Sequence, residues 1–152
     1  MYSSLHNHSD YSNLRLIDSI NTVEKLLDRG FELGLKAIAL TDHEALSGHV
    51  KAINYYEKKY KDEDYKLILG NEIYLTRRDL TPENHQKGEK FYHLLLLAKN
   101  EQGHKQLREL SSRAWKRSYF KNLMRVPTFI TDLEDIIRTN QGNIVGTTAC
   151  LG

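Results

Sequence analysis

Hydrophobic and polar positions repeat along this chain with two different periods, and each change of period marks an element. Residues 3–8 alternate, which predicts a short strand with Leu5 and Asn7 on one face and His6 and His8 on the other. Over residues 22–33 the apolar positions Val23, Leu26, Leu27, Phe31 and Leu33 follow helical spacing, with Asn21 at the cap position, Glu24 as its capping-box partner and Gly34 just past the end. Residues 36–40 (KAIAL) form an apolar run of buried-strand type that leads into Thr41-Asp42-His43. A second helix is predicted over 47–60, with Val50, Ile53, Tyr56 and Tyr60 on its apolar side.

Residues 65–75 (YKLILGNEIYL) read as a third strand carrying Glu72 inside an apolar stretch, and 76–90, polar with Pro82 and Gly88, as a long loop. Residues 91–98 (FYHLLLLA) form a fourth strand with His93 near its start. Asn100 caps a helix reaching Trp115, Thr131 with Glu134 forms a capping box for a helix reaching Arg138, and Asn140-Gln141-Gly142 turns into a strand over 143–148. The order β-α-β-α-β-β-α-α-β predicts an α/β protein with a largely parallel sheet and one domain.

Composition narrows the class without naming an activity. With 152 residues, 39% hydrophobic and 28% charged, the chain has the make-up of an ordinary globular domain. Its longest apolar run, 94–98, is far too short for a bilayer, and the first residues lack the charged start and apolar core of a signal peptide, so no membrane role and a cytoplasmic location are expected. Lys plus Arg number 22 against 20 Asp plus Glu, so the net charge of +2 excludes strong nonspecific attraction to nucleic acid. The single Cys cannot form an internal disulfide. A basic stretch from Lys105 to Arg125, interleaved with Trp115, Tyr119 and Phe120, reads as a solvated helix face with core aromatics, with backbone tracking of DNA as the alternative.

The chemistry gathers at strand ends, where α/β barrels keep their sites. His6, His8, His43, Glu72, His93 and Cys150 fall there, and Asp18 lies in the first loop. Imidazole, carboxylate and thiolate together suit zinc, manganese or iron. Seven donors exceed the needs of one tetrahedral ion, which points to two or three divalent metals sharing a carboxylate. Each residue alone has a plainer reading: a surface His-x-His, a turn Asp at Asp42, an ion pair of Glu72 with Arg77 or Arg78, an inert thiol at Cys150. His49, His85 and His104 read as solvated. The recurrence of one ligand-type residue per strand end favours the metal reading over these.

His6-Asn7-His8, the loop 9–18, Thr41-Asp42-His43, Gly70-Asn71-Glu72, Tyr92-His93-Leu94 and Thr148-Ala149-Cys150-Leu151-Gly152 resemble the successive motifs of the PHP (polymerase and histidinol phosphatase) domain. LHNHSDYSNLRLIDS, HLLLLAKNEQGHKQL and GTTACLG are similar, more narrowly, to the branch at the N-terminus of bacterial replicative DNA polymerase III alpha subunits. The resemblance implies a distorted, TIM-like β/α barrel. In it His6 and His8 would hold one metal, Glu72 would bridge to a second held by His93 and Cys150, and Asp18 with His43 would hold a third. Asp42 would orient His43, and Glu72 and His43 would carry catalysis. The family's final Asp-x-His does not occur before Gly152, so the resemblance implies an N-terminal portion of the domain, with C-terminal strands and helices missing and an open strand edge where a partner or a second copy would pack. It further implies a metal-dependent phosphoesterase, acting as a 3′–5′ exonuclease or serving as scaffold within a DNA polymerase, with DNA and the proofreading subunit of the replicase as partners. The alternatives are a stand-alone PHP phosphatase acting on a phosphomonoester, an amidohydrolase-type barrel, and a non-catalytic module stabilised by metal.

Overall fold

The computed structural model describes residues 2–12, 17–77, 84, 90–116 and 126–149. Within these run β1 (Ser3–Ser4), a 3-10 turn at Asp10–Ser12, α1 (Val23–Glu32), β2 (Ala37–Leu40), α2 (His49–Lys59), β3 (Lys66–Leu75), β4 (Tyr92–Ala98), α3 (Glu101–Lys116), β5 (Pro127–Thr128), α4 (Ile130–Thr139) and β6 (Ile144–Thr148). The strands form one mixed sheet in the order β1-β2-β3-β4-β6, with β5 beside β3, and the sheet curls as a half-barrel. The α/β class and the partial β/α barrel are as expected. A largely parallel sheet is not: β1, β2 and β3 are parallel, whereas β3 with β4 and β4 with β6 are antiparallel. Parallel neighbours need a crossover, and among the described residues no helix lies between β3 and β4, which accords with their antiparallel pairing.

The long β3 changes partners along its length. Residues 66–69 pair with β2 and residues 70–75 with β4, and the change falls at Gly70. A Cβ there would lie 2.7 Å from the Leu96 carbonyl oxygen and 2.8 Å from Thr41 Cγ2, so this crossing of three backbones requires glycine. Past the change, Glu72 donates its N–H to Asp42 O and accepts from Glu44 N at 2.9 Å, which ties the loop after β2 to the middle of β3. The two-residue β5, which the sequence pattern did not indicate, joins β3 at Tyr74 and Leu75.

Apolar side chains are buried on both sides of this sheet. Val23 and Leu27 of α1 and Ala52 of α2 cover Ile38 and Leu40, while Leu107 and Leu110 of α3 and Leu133 and Ile136 of α4 cover Ile73 and Leu96. Ala39, Leu95 and Leu97 pack together on the other side. The period of two therefore explains the run of four leucines in β4: alternate residues serve two cores, and His93 shares its side of the strand with Leu95 and Leu97. At the rim, β6 pairs with β4, and Val145 is 46% exposed. Among the described residues no helix is long and apolar enough to cross a membrane.

Several helix ends differ from expectation. Thr22, one residue past the expected Asn21, caps α1 by accepting from Lys25 N, whereas Gly34 takes the expected positive φ of 70°. Asn100 caps α3 as expected, accepting from Gly103 N. No capping box forms at Thr131 and Glu134, because α4 starts at Ile130 with Phe129 at the cap. Val50 lies on the outer side of α2, 68% exposed. Of the basic stretch, residues 105–116 lie on α3, where Arg113 is bound by Glu109 at 2.5 Å and Asp135 at 2.7 Å, while residues 117–125 lie outside the described set, as do His85 and most of the loop 76–90.

His49 is the largest departure. Expected in solvent, it is 2% exposed at the start of α2. Nε2 faces Gly70 O at 3.0 Å and so carries the proton, leaving Nδ1 to accept from the half-buried His104 Nε2 at 3.1 Å. Helical periodicity does not distinguish His49 from a polar position, and its burial rests on backbone carbonyls of other segments, those of Gly70 on β3 and Leu40 on β2. Burial, then the neighbouring His104, push the His49 imidazole down from 6.5 to about 4. Between those values the unfolded chain binds the extra proton, so this group's stabilisation is complete above pH 6.5 and is lost as the pH falls toward 4. At 1.36 kcal/mol per unit this amounts to about 3 kcal/mol. Urea unfolding between pH 7 and 4 is expected to show that acid loss in the wild type and a shallower loss in His49→Gln; parallel curves would contradict it.

Candidate metal centre

The structure brings His6, His8, Asp18, His43, Glu72 and His93 into one cluster; Cys150 lies outside the described residues. His6 and His8 do not sit on a strand, since β1 ends at Ser4. Asn7 anchors them instead. Its N–H donates to Thr41 Oγ1 at 2.9 Å, its O accepts from Thr41 N at 2.9 Å, and its amide donates to Ser4 O and Ala39 O. With Asn7 bound to the end of β2, the flanking imidazoles turn to the same side, as the alternation implied.

Glu72 is the meeting point. Its side chain is 1% exposed. Oε2 lies 2.6 Å from His6 Nε2 and 2.7 Å from His8 Nε2, which are 3.1 Å from each other, and Oε1 lies 2.8 Å from His93 Nδ1. A carboxylate this deep requires partners, and imidazoles stand at both oxygens; Arg78, one of the alternative partners, lies outside the described residues. Burial alone would raise the Glu72 carboxyl, but the hydrogen bonds from His8 and His6 outweigh it and hold it down to about 2. His8 stands between two carboxylates, with Nδ1 2.6 Å from Asp18 Oδ2. Burial opposes its protonation, yet Glu72 and Asp18 together raise it.

His43 enters from the loop after β2 and forms a bridge with Glu72. Its Nδ1 is 3.7 Å from Glu72 Oε2 and its Nε2 is 3.9 Å from Asp18 Oδ1, both beyond hydrogen-bonding reach. Burial, ahead of every nearby charge, pushes His43 down to about 4, so the ring is neutral at pH 7. Tyr74, two residues past Glu72 on β3, stacks on His43 at 5.4 Å and meets His93 edge-on at 4.4 Å. The ligand-type pattern missed this tyrosine because a phenol is not among the donors it sought; the period of two from Glu72 was the available signal.

Asp42, expected to orient His43, is linked to it through Ser12. Its carboxylate, fully buried, accepts from Ser9 N at 2.6 Å, Ser9 Oγ at 2.8 Å and Ser12 Oγ at 2.9 Å, and reaches His43 only through Ser12 Oγ, which accepts the His43 N–H at 3.1 Å. It therefore fixes the turn that follows His8.

The donor set fits divalent cations. Three groups each bring their atoms within 4.8 Å: His6, His8 and Glu72; His8, Asp18 and His43; His43, Glu72 and His93. His43 Nδ1 is buried without a hydrogen-bond partner, and a neutral imidazole with a free lone pair is the form that binds a metal. Three further imidazoles converge on one carboxylate through ring nitrogens, and on losing those N–H protons they would be suited to a shared ion site. This curled sheet with its His and carboxylate cluster defines an α/β domain that carries a candidate metal centre.

The sequence comparisons agree with that class. A family model described as PHP domain matches residues 4–152, and the chain belongs to this family. It is 46% identical over 154 residues to a Bacillus subtilis (strain 168) protein named "Probable DNA polymerase YorL", covering 97% of this chain and 12% of that protein. It is 35% identical over 149 residues to the DNA polymerase III subunit alpha of Borreliella burgdorferi, again covering 97% of this chain and 12% of that protein. The chain thus spans about 12% of the length of these curated relatives. Among solved structures, an amidohydrolase from Chromobacterium violaceum is similar with a TM-score of 0.47 and 19% identity, covering 76% of this chain and 35% of that one.

The Asp42 network generates a direct expectation. Asp42→Ala leaves the Ser9 N–H and two hydroxyls without a buried acceptor and is expected to cost about 3 kcal/mol in denaturant unfolding. Asp42→Asn is expected to cost far less, because the Ser9 hydroxyl can turn to accept. Equal losses would show that charge, rather than these bonds, is what Asp42 supplies.

Proposed function

We propose that this chain is the phosphoesterase-type domain of a DNA polymerase of the polymerase III alpha kind, working in the cytoplasm alongside DNA and other replicase subunits, and that its centre holds two or three divalent ions, zinc, manganese or iron. The observation that carries this is the Glu72 carboxylate, 1% exposed and in contact with His6, His8 and His93 through both oxygens. In this reading Glu72 is shared between ion sites, His6 and His8 complete one, His93 with Cys150 a second, and His43 with Asp18 a third. Bound divalent ions would supply Lewis-acid polarisation of a phosphodiester and lower the pKa of the attacking water.

The residues themselves set the access and polarity of that chemistry. The floor is closed by Glu72, while the His6 and Asp18 side chains, 35% and 31% exposed, leave the rim open to a strand end. Tyr74 against His43 and His93 keeps water from the inner side of both rings. His43, neutral at pH 7, presents one ring nitrogen's lone pair without first losing a proton. Glu72, ionised down to about pH 2, keeps its negative charge wherever the polymerase works.

Plasma mass spectrometry of the purified chain is expected to find divalent metal in the wild type and at most a small fraction of it in His6→Ala/His8→Ala. Near-zero metal in both would end the metal reading. In the full polymerase, removal of a 3′-mismatched nucleotide with Mn2+ is expected to fall about 100-fold or more in His43→Ala and Glu72→Ala. Metal content that changes while turnover does not would assign the centre a structural role.

A further inference from the structure

We propose that Glu44, outside the set of metal-ligand residues, is the positioning residue that holds His43 in the centre. The inference rests on the metal-binding reading of that centre. Glu44 follows His43 directly and has a φ of 58°, the left-handed conformation, which a residue with a Cβ adopts only where its surroundings over-determine it. Its surroundings do so three times. The backbone N–H donates to Glu72 O at 2.9 Å, the backbone O accepts from Trp115 Nε1 at 2.8 Å, and the carboxylate accepts from the N–H of Val126, just before β5. Strand β3, helix α3 and the approach to β5 thus each grip one group of a single residue that is 8% exposed.

The strain has a use at the preceding residue. His43 faces Glu72 and Asp18 at 3.7 and 3.9 Å, too far for hydrogen bonds, and its Nδ1 has no partner. Its ring is therefore not aimed by bonds of its own. The orientation comes from packing against Tyr74 and His8, and from the backbone, which Ser12 holds at the His43 N–H and Glu44 holds on the other side. A glycine at position 44 would adopt the same φ without strain but would have no oxygen to offer Val126. Glutamate accepts the strain and supplies the tether, which identifies position as its contribution.

Mn2+ titration of the full chain, followed calorimetrically, tests this. Glu44→Ala is expected to weaken the Mn2+ site that uses His43 by about 10- to 100-fold, the range for a residue that orients a ligand. Glu44→Gln, which still offers an oxygen to the Val126 N–H, is expected to stay within about threefold of the wild type. Trp115→Phe retains an aromatic ring but loses the N–H to Glu44 O, and is expected to weaken the same site about three- to tenfold. Circular dichroism separates folding from binding, and if Glu44→Ala does not fold, Trp115→Phe decides. Wild-type affinity in a folded Glu44→Ala or in Trp115→Phe overturns the proposal, as does a loss in Glu44→Gln equal to that in Glu44→Ala. A wild-type chain that binds no Mn2+ overturns the metal reading itself, a result distinct from those.

Discussion

A carboxylate withdrawn from water in the middle of a strand needs compensation, and most of what surrounds Glu72 can be traced to that need. Three imidazoles from two separate segments approach its two oxygens, and the backbone of the same residue donates one hydrogen bond to the loop after β2 and accepts another from it. The segments cannot meet there unless β3 exchanges β2 for β4 at Gly70, and that exchange tolerates no side chain. The two helical layers bear on the sheet from outside, one on each half of β3, so the cores and the centre stabilise the same crossing.

The loops show how little regular structure is needed to place a ligand. His6 and His8 are fixed by Asn7, which borrows its hydrogen bonds from the end of β2, and the turn after His8 is fixed by Asp42. His43 is set between Ser12 and a residue in left-handed conformation. In each case a neighbour supplies the geometry and the ligand supplies the chemistry, the division of labour expected where metal ligands are oriented by the residues around them.

Much of this was legible in the chain. The recurrence of ligand-type residues at His6, His8, His43, Glu72 and His93 identified the cluster, although Glu72 lies within β3 rather than at its end and His6 and His8 follow β1 in a loop. The helices were legible from apolar stripes, and the class of fold from the order of elements. What failed did so for local reasons. Thr22 displaced the expected cap at α1, since more than one polar residue near its start could accept the N–H, and α4 begins at Ile130, one residue before the expected cap, with no side-chain cap at Phe129. His49 was placed in solvent because its burial depends on a carbonyl 21 residues away. The short β5 and the roles of Tyr74, Asp42 and Glu44 arise from contacts between distant segments, which periodicity does not encode.

Diffraction from crystals soaked in Mn2+, with anomalous differences recorded near the manganese edge, bears most directly on the claim that Glu72 is a shared ligand. The account requires at least two anomalous peaks, one among His6, His8 and Glu72 and another beside His93, with Glu72 the residue common to both. No peak at saturating Mn2+, or peaks whose nearest donors exclude Glu72, would contradict it.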